Sequence, residues 1–157
     1  MLAVIEKGTN GYKVILERQI KSSKKEVWSW LTENDKLKQW FSELRMEELK
    51  KGGKVLFDMH DGTFEEMEIL KCEEQSVLKF TWAEDVVQFE LYPTEAGCRI
   101  VFTEYINIII KHTPKDIAGW HVCLMVVQSL IEGLPMNDRK EEWEHLYPKY
   151  VELFNNV

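Results

Sequence analysis

Positive charge is the scarcer sign in this chain: 20 lysines and arginines stand against 27 aspartates and glutamates, a formal charge of −7. Nucleic acid and anionic membrane surfaces both need basic patches, so neither is expected as the main partner. Cysteine is scarce too. Cys72, Cys98 and Cys123 show no paired spacing, and an odd count without a disulfide framework points to free thiols in a reducing cytoplasm. The opening MLAVIEKGTNG has neither the basic region nor the long apolar core of a signal peptide. Long hydrophobic runs are missing as well. The most apolar later stretch, Val122–Val127, is soon interrupted by Gln128, Ser129 and Glu132, too short and polar for membrane insertion. No Pro/Gly/Ser linker, internal repeat or low-complexity tract breaks the chain, so residues 1–157 read as a single domain. At that length it can bury about 68–70% of its unfolded surface.

The motifs of catalysis are equally sparse. His60, His112, His121 and His145 do not fall at zinc-ligand spacing with one another or with a cysteine pair. There is no Gly-rich phosphate loop and no nucleophile elbow. No catalytic residue, metal ligand or cofactor is therefore assigned. The acidic run Glu65, Glu66, Glu68, Glu73 and Glu74 reads as a solvated strand edge.

What is present is pattern. Asn10-Gly11 is a hairpin-type turn signal, and Tyr12, Val14, Leu16 and Ile20 then alternate with Lys13, Glu17 and Gln19. Ser23-Lys24-Lys25-Glu26 reads as a capping box ahead of Val27, Trp30 and Leu31 at helical spacing. A second short helix carries Leu37, Trp40 and Phe41. Gly52-Gly53 and Asp61-Gly62 then punctuate strand-like runs at Leu44–Leu49, Lys54–Met59 and Thr63–Cys72. Further strands place Leu78, Phe80 and Trp82 on one face, then Val87, Phe89 and Leu91, then Cys98, Ile100, Phe102, Glu104 and Ile106. Consecutive strands with short turns argue for an antiparallel meander.

Thr113-Pro114-Lys115-Asp116 reads as the start of a long helix, with Thr113 as cap and Asp116 closing the box. Its residues are apolar round most of the circumference, which requires cover on most sides. His121, Gln128 and Glu132, at i, i+7 and i+11, form one narrow polar sector, and His121 is expected at the surface. Asp138 with Glu141 caps a last segment, which Pro148 is expected to kink or split.

Taken in order, certain blocks resemble the START-like helix-grip superfamily. Within it they are similar to bacterial proteins related to the C-terminal domain of the activator of heat-shock protein 90 ATPase. The blocks are Arg18-Gln19-Ile20 with Ser23, Glu26, Val27 and Trp28; Leu37 with Trp40-Phe41; Gly53 before Phe57; Leu78–Trp82; Val87–Leu91; and Gly119-Trp120 with Leu124, Val127 and Leu130. They cover a core of about residues 12–134, and the segment 137–157 lies beyond it. The resemblance implies an α+β fold: a curved antiparallel sheet gripping a long C-terminal helix, with two short helices near the N-terminus. It also implies an apolar small molecule or lipid as ligand, held between sheet and helix.

On that reading the cavity walls are Trp40, Phe57, Phe80, Trp82, Phe89 and Phe102 from the sheet side, with Trp120, Cys123, Leu124 and Val127 from the helix. Glu104 is the anomaly. It shares its face with Ile100, Phe102 and Ile106, and a buried carboxylate is costly unless paired. It is a polar anchor for a ligand or a general base of raised pKa, or else one half of an internal ion pair or hydrogen bond, or turned outward by a local bulge. The alternative function is a protein-interaction module directed at a chaperone in a stress response. An enzyme of the cyclase or hydrolase kind has least support. Oligomeric state is not legible.

Overall fold

The turn at Asn10 closes the first hairpin of a computed structural model that describes residues 1–157. Strand β1 (Val4–Gly8) pairs through it with β2 (Gly11–Ile20). Two short helices follow, α1 (Lys24–Thr32) and α2 (Asn34–Trp40). Six further strands are β3 (Leu44–Met46), β4 (Lys54–Asp58), β5 (Phe64–Glu73), β6 (Val77–Trp82), β7 (Asp85–Thr94) and β8 (Gly97–Ile106). The chain ends with α3 (Thr113–Glu132) and α4 (Arg139–Asn155).

The strands form one curved eight-stranded sheet in the order β1-β2-β8-β7-β6-β5-β4-β3, every pair antiparallel. From β3 to β8 this is a meander with short turns, as the alternation implies. The pairing of β2 with β8, Leu16 opposite Phe102 and Ile20 opposite Cys98, joins the two ends of the strand region. A register shift between Ile69 and Lys71 marks a bulge in the β5–β6 pair, a device that bends and twists a sheet. Strand β3 stops at Met46, short of Leu49. The amides of Glu47 and Glu48 both donate to the Lys54 carbonyl, which breaks the ladder there.

Helix α3 runs unbroken through Gly119 across the inner face of the sheet. Its cap differs from expectation. The N-cap is His112, without a side-chain hydrogen bond, and Thr113 Oγ1 instead accepts from the Ile110 amide at 2.9 Å. Asp116 is thereby released from capping and bonds elsewhere. At α1 the Ser23 hydroxyl does accept from the Glu26 amide, 3.1 Å, while the Glu26 carboxylate turns to Trp30 Nε1.

Helix α4 bears on two further expectations and overturns the second. Pro148 does not split it, and its Leu146, Tyr150 and Phe154 pack into the core. By covering α3 it buries His121, only 4% exposed. The polar sector of α3 is consumed internally. His121 Nδ1 lies 2.7 Å from the Tyr150 hydroxyl and its Nε2 lies 3.3 Å from Arg18 Nη2. Gln128 donates to the Gln19 carbonyl, and Glu132 accepts from the Lys21 amide. Because Arg18 can only donate, Nε2 must accept. Nδ1 then carries the proton and donates to Tyr150, whose oxygen also accepts from the Ala3 amide at 2.9 Å.

Candidate functional site: an aromatic interior with two clefts meeting at Asp116

Below the first turns of α3 the interior is built from rings. Trp120 is the hub, with centroids 4.8 Å from Phe102, 5.0 Å from Trp82, 5.3 Å from Phe41 and 5.9 Å from Phe89. Most of these contacts are edge-to-face or tilted, the arrangement favoured by the ring quadrupole. The parity of β6, β7 and β8 brings Trp82, Phe89 and Phe102 to one face, and α3 lays Trp120 across them. The centre between sheet and helix is therefore occupied by side chains. Free space lies instead in two clefts toward the N-terminal end of α3.

The first cleft, about 460 Å³, has walls of Phe41, Trp82 and Trp120, with Asp116, Gly119 and Cys123 from α3 and Arg139, Lys140 and Trp143 from the start of α4. The second, about 280 Å³, has Phe57, Met59, Met67 and Ile110 as apolar walls and Glu65, Glu84, Asp85 and Asp116 as its carboxylates. Trp82 and Asp116 belong to both. Between them Trp82 Nε1 donates to Asp116 Oδ1 at 2.9 Å.

Of the residues singled out from sequence, Trp82 lines both clefts, Trp120 and Cys123 line the larger one and Phe57 the smaller. Trp40, Phe80, Phe89, Phe102, Glu104, Leu124 and Val127 lie behind these walls, all buried. Trp40 turns its Nε1 to the Trp30 carbonyl at 2.8 Å. Cys123 Sγ lies 3.4 Å from Arg139 Nη2, and burial pushes its thiol up to about 12, so it is no nucleophile near neutral pH.

Most other wall residues escaped the sequence reading, among them Phe41, Asp116, Arg139 and Trp143. Phe41 follows the end of α2, where helical periodicity no longer says which way a side chain points. Asp116 resembled a capping acid. Arg139 and Trp143 sit in the terminal segment, whose docking no local pattern reports. Gly119 carries the one signal that was available. A glycine inside a helix costs about 0.5–1 kcal/mol relative to alanine, yet nothing lies within 4 Å of where its Cβ would be. Packing does not require glycine there, and the open space beside it is the larger cleft.

Glu104 is fully buried, and neither of its oxygens receives a hydrogen bond. No lysine, arginine or hydroxyl meets it, so the ion-pair account fails. As a carboxylic acid, however, it has an acceptor in the Asp116 carboxylate. Burial first, then the negative charges of Asp116 and Asp85, push its pKa up to about 11. Holding a carboxyl protonated at pH 7 costs about 3–4 kcal/mol. Ionising it in place, with its pKa near 11, would cost more still. The acid form wins. Trp120 Nε1 is a second buried polar atom without a partner.

A curved antiparallel sheet wrapped on a long helix, with its remaining space at one end of the grip, defines a helix-grip protein. The family described as activator of Hsp90 ATPase homolog 1-like protein matches residues 21–132, and the chain belongs to that family. Among solved structures, a conserved protein of unknown function from Enterococcus faecalis is 28% identical, with TM-score 0.87 over 98% of this chain and 91% of that one. CalU16 from Micromonospora echinospora shares the fold at 18% identity, TM-score 0.77, over 96% of both chains. The Aha1 dimer from Colwellia psychrerythraea shares it at 18% identity, TM-score 0.66, over 76% of this chain and 96% of that one. No curated protein matches the chain significantly. No helix is long and apolar enough to cross a membrane.

Proposed function

We propose that this protein binds an apolar small molecule or a lipid chain in the space where the sheet, α3 and the start of α4 meet. The observation that carries this reading is convergence. Two clefts with aromatic walls share Trp82 and Asp116, beside a buried indole, that of Trp120, whose Nε1 has no protein partner. Native interiors satisfy nearly all such groups, and ligand sites combine apolar walls with a few convergent polar groups. Aromatic and aliphatic surface would supply the affinity, and the polar groups the orientation. A chaperone-directed role has only the family description and the fold likeness to the Aha1 dimer behind it.

The test uses the protein's own fluorescence. Three of the six tryptophans, Trp82, Trp120 and Trp143, line the larger cleft, so an apolar compound bound there should quench or shift the emission. Gly119→Leu should fill the cleft and remove that response while the circular dichroism spectrum stays native. An unchanged emission across a panel of aromatic and aliphatic compounds, or an undiminished response in Gly119→Leu, would count against the reading.

A further inference from the structure

Lysine and arginine are outnumbered in this chain, yet three of them gather at the larger cleft: Lys115 from the first turn of α3, and Arg139 and Lys140 from the start of α4. The smaller cleft has neither. Two carboxylates, Glu43 and Asp116, also line the larger cleft, and both are already engaged. Glu43 accepts from the Ser42 hydroxyl and lies 3.4 Å from His60 Nε2, and Asp116 accepts from the Trp82 indole. Lys140 reaches the exposed Glu144 at 3.9 Å. Lys115 and Arg139 form no ion pair.

Arg139 is held in place without being neutralised. Its Nη1 donates to the Trp40 carbonyl at 3.1 Å, and its Nη2 lies 3.4 Å from Cys123 Sγ. Neither partner is charged, since burial keeps the Cys123 thiol protonated. Cys123 follows Trp120 by three residues, so the two lie on one side of α3, and the guanidinium is held about one turn along the helix from that indole. Trp120 belongs to the same wall, is 2% exposed, and carries in Nε1 a donor without an acceptor. The unmet groups of this cleft are therefore all of one kind: a guanidinium, an ammonium and an indole N–H. An acceptor-rich, negatively charged partner satisfies all three, and a carboxylate matches the guanidinium fork.

We propose that the larger cleft takes an organic anion: a carboxylate on an aromatic or aliphatic body, its head at Arg139 and the Trp120 indole, its body over Phe41, Trp82 and Trp143. This rests on the small-molecule reading above and adds the ligand's charge and its seat. The two carboxylate oxygens have lone pairs enough for both donors. Lys115 adds a second positive charge at the mouth, and the edges of the surrounding rings suit an apolar body. Both carboxylates of the wall keep their present partners.

The test is calorimetric titration of the whole chain near pH 7 with three matched probes: naphthoate, naphthalenemethanol and naphthylmethylamine. The naphthoate should bind about tenfold or more tightly than the alcohol, the scale of a charged hydrogen bond, and the amine should bind weakest. Gly119→Leu should remove naphthoate binding. Arg139→Gln should bring naphthoate down to the level of the alcohol and leave the alcohol's affinity unchanged. Because Arg139 also bonds the Trp40 carbonyl, Lys115→Gln, at an exposed side chain, is the second variant and should weaken naphthoate alone, by about threefold. In a nitrogen–proton NMR spectrum the Trp120 indole signal, identified by its loss in Trp120→Phe, should move downfield with naphthoate. Equal binding of naphthoate and alcohol, or tighter binding of the amine, overturns the anion assignment and leaves the small-molecule reading standing. Failure of all three probes to bind overturns both. A naphthoate preference undiminished in Gly119→Leu or in both charge variants, or an unmoved indole signal, overturns the seat assigned here.

Discussion

Trp82 Nε1 and Asp116 Oδ1 lie 2.9 Å apart, joining the last residue of β6 to the first turn of α3 at the partition between the two clefts. The bond turns a helix-start acid away from its own backbone and toward the sheet. It also sets an ionisable group over Glu104, and through that group the partition and the buried acid are coupled.

That bond should be worth about 1.5–3 kcal/mol, the scale of a hydrogen bond to a charged acceptor. Trp82→Phe and Asp116→Ala should each lower stability in chemical denaturation. Combined, they should cost less than the sum of the two, because both remove the same contact. Strict additivity would show that the 2.9 Å contact contributes nothing.

Glu104 makes stability fall with alkalinity. Its pKa is raised from the usual 4.5 to about 11, so the native state holds a proton that the unfolded chain has lost across that range. Stability is then full below about pH 4.5 and declines toward pH 11, by at most about 1.4 kcal/mol per pH unit. Glu104→Gln, which mimics the neutral acid, should flatten the decline between pH 7 and 9 and raise stability at pH 7 by on the order of 3 kcal/mol. Urea unfolding across that range measures both effects. A wild-type curve that is level above pH 7 would contradict the neutral acid.

His121 acts in the opposite direction. Burial, then the nearby charges of Arg18, the N-terminal amine and Lys149, bring it down from 6.5 to about 4. The unfolded chain therefore binds the extra proton first as pH falls. Stability should be lost between about pH 6.5 and 4, up to about 3 kcal/mol. Over that window it runs against the Glu104 effect, so each is best measured in the other's variant. Tyr150→Phe should cost about 1–3 kcal/mol at any pH, since it leaves the Ala3 amide and His121 Nδ1 without their acceptor. If Tyr150→Phe is as stable as wild type, the cluster does not hold α4 in place.

Gly119→Ala should raise stability by about 0.5–1 kcal/mol, because the added methyl meets open space and the helix loses its most flexible residue. Thermal unfolding decides it. A loss of stability would mean that the cleft wall is tighter than its geometry indicates.

Which side each strand buries was legible along the chain. Side chains alternate with period two, so Val14, Leu16 and Ile20 on β2 and Val87, Phe89 and Leu91 on β7 announce the inner face, and all are buried. The long helix was legible for a similar reason, since an apolar circumference demands cover. The antiparallel meander follows from turns too short for crossovers. His121 shows where such reasoning stops: its helical sector is polar, and it is buried because α4, separated in sequence, lies on top of it. The same holds for the site. Glu104 was marked as an inward-facing acid by its parity with Ile100 and Phe102. Whether it met a cation, a hydroxyl or another acid depended on what α3 placed opposite it across the interior. Periodicity states which way a side chain points within its own element. Only the packing of β2 on β8, α3 on the sheet and α4 on α3 decided what each one meets, because those contacts join residues far apart in the chain and no local spacing encodes them.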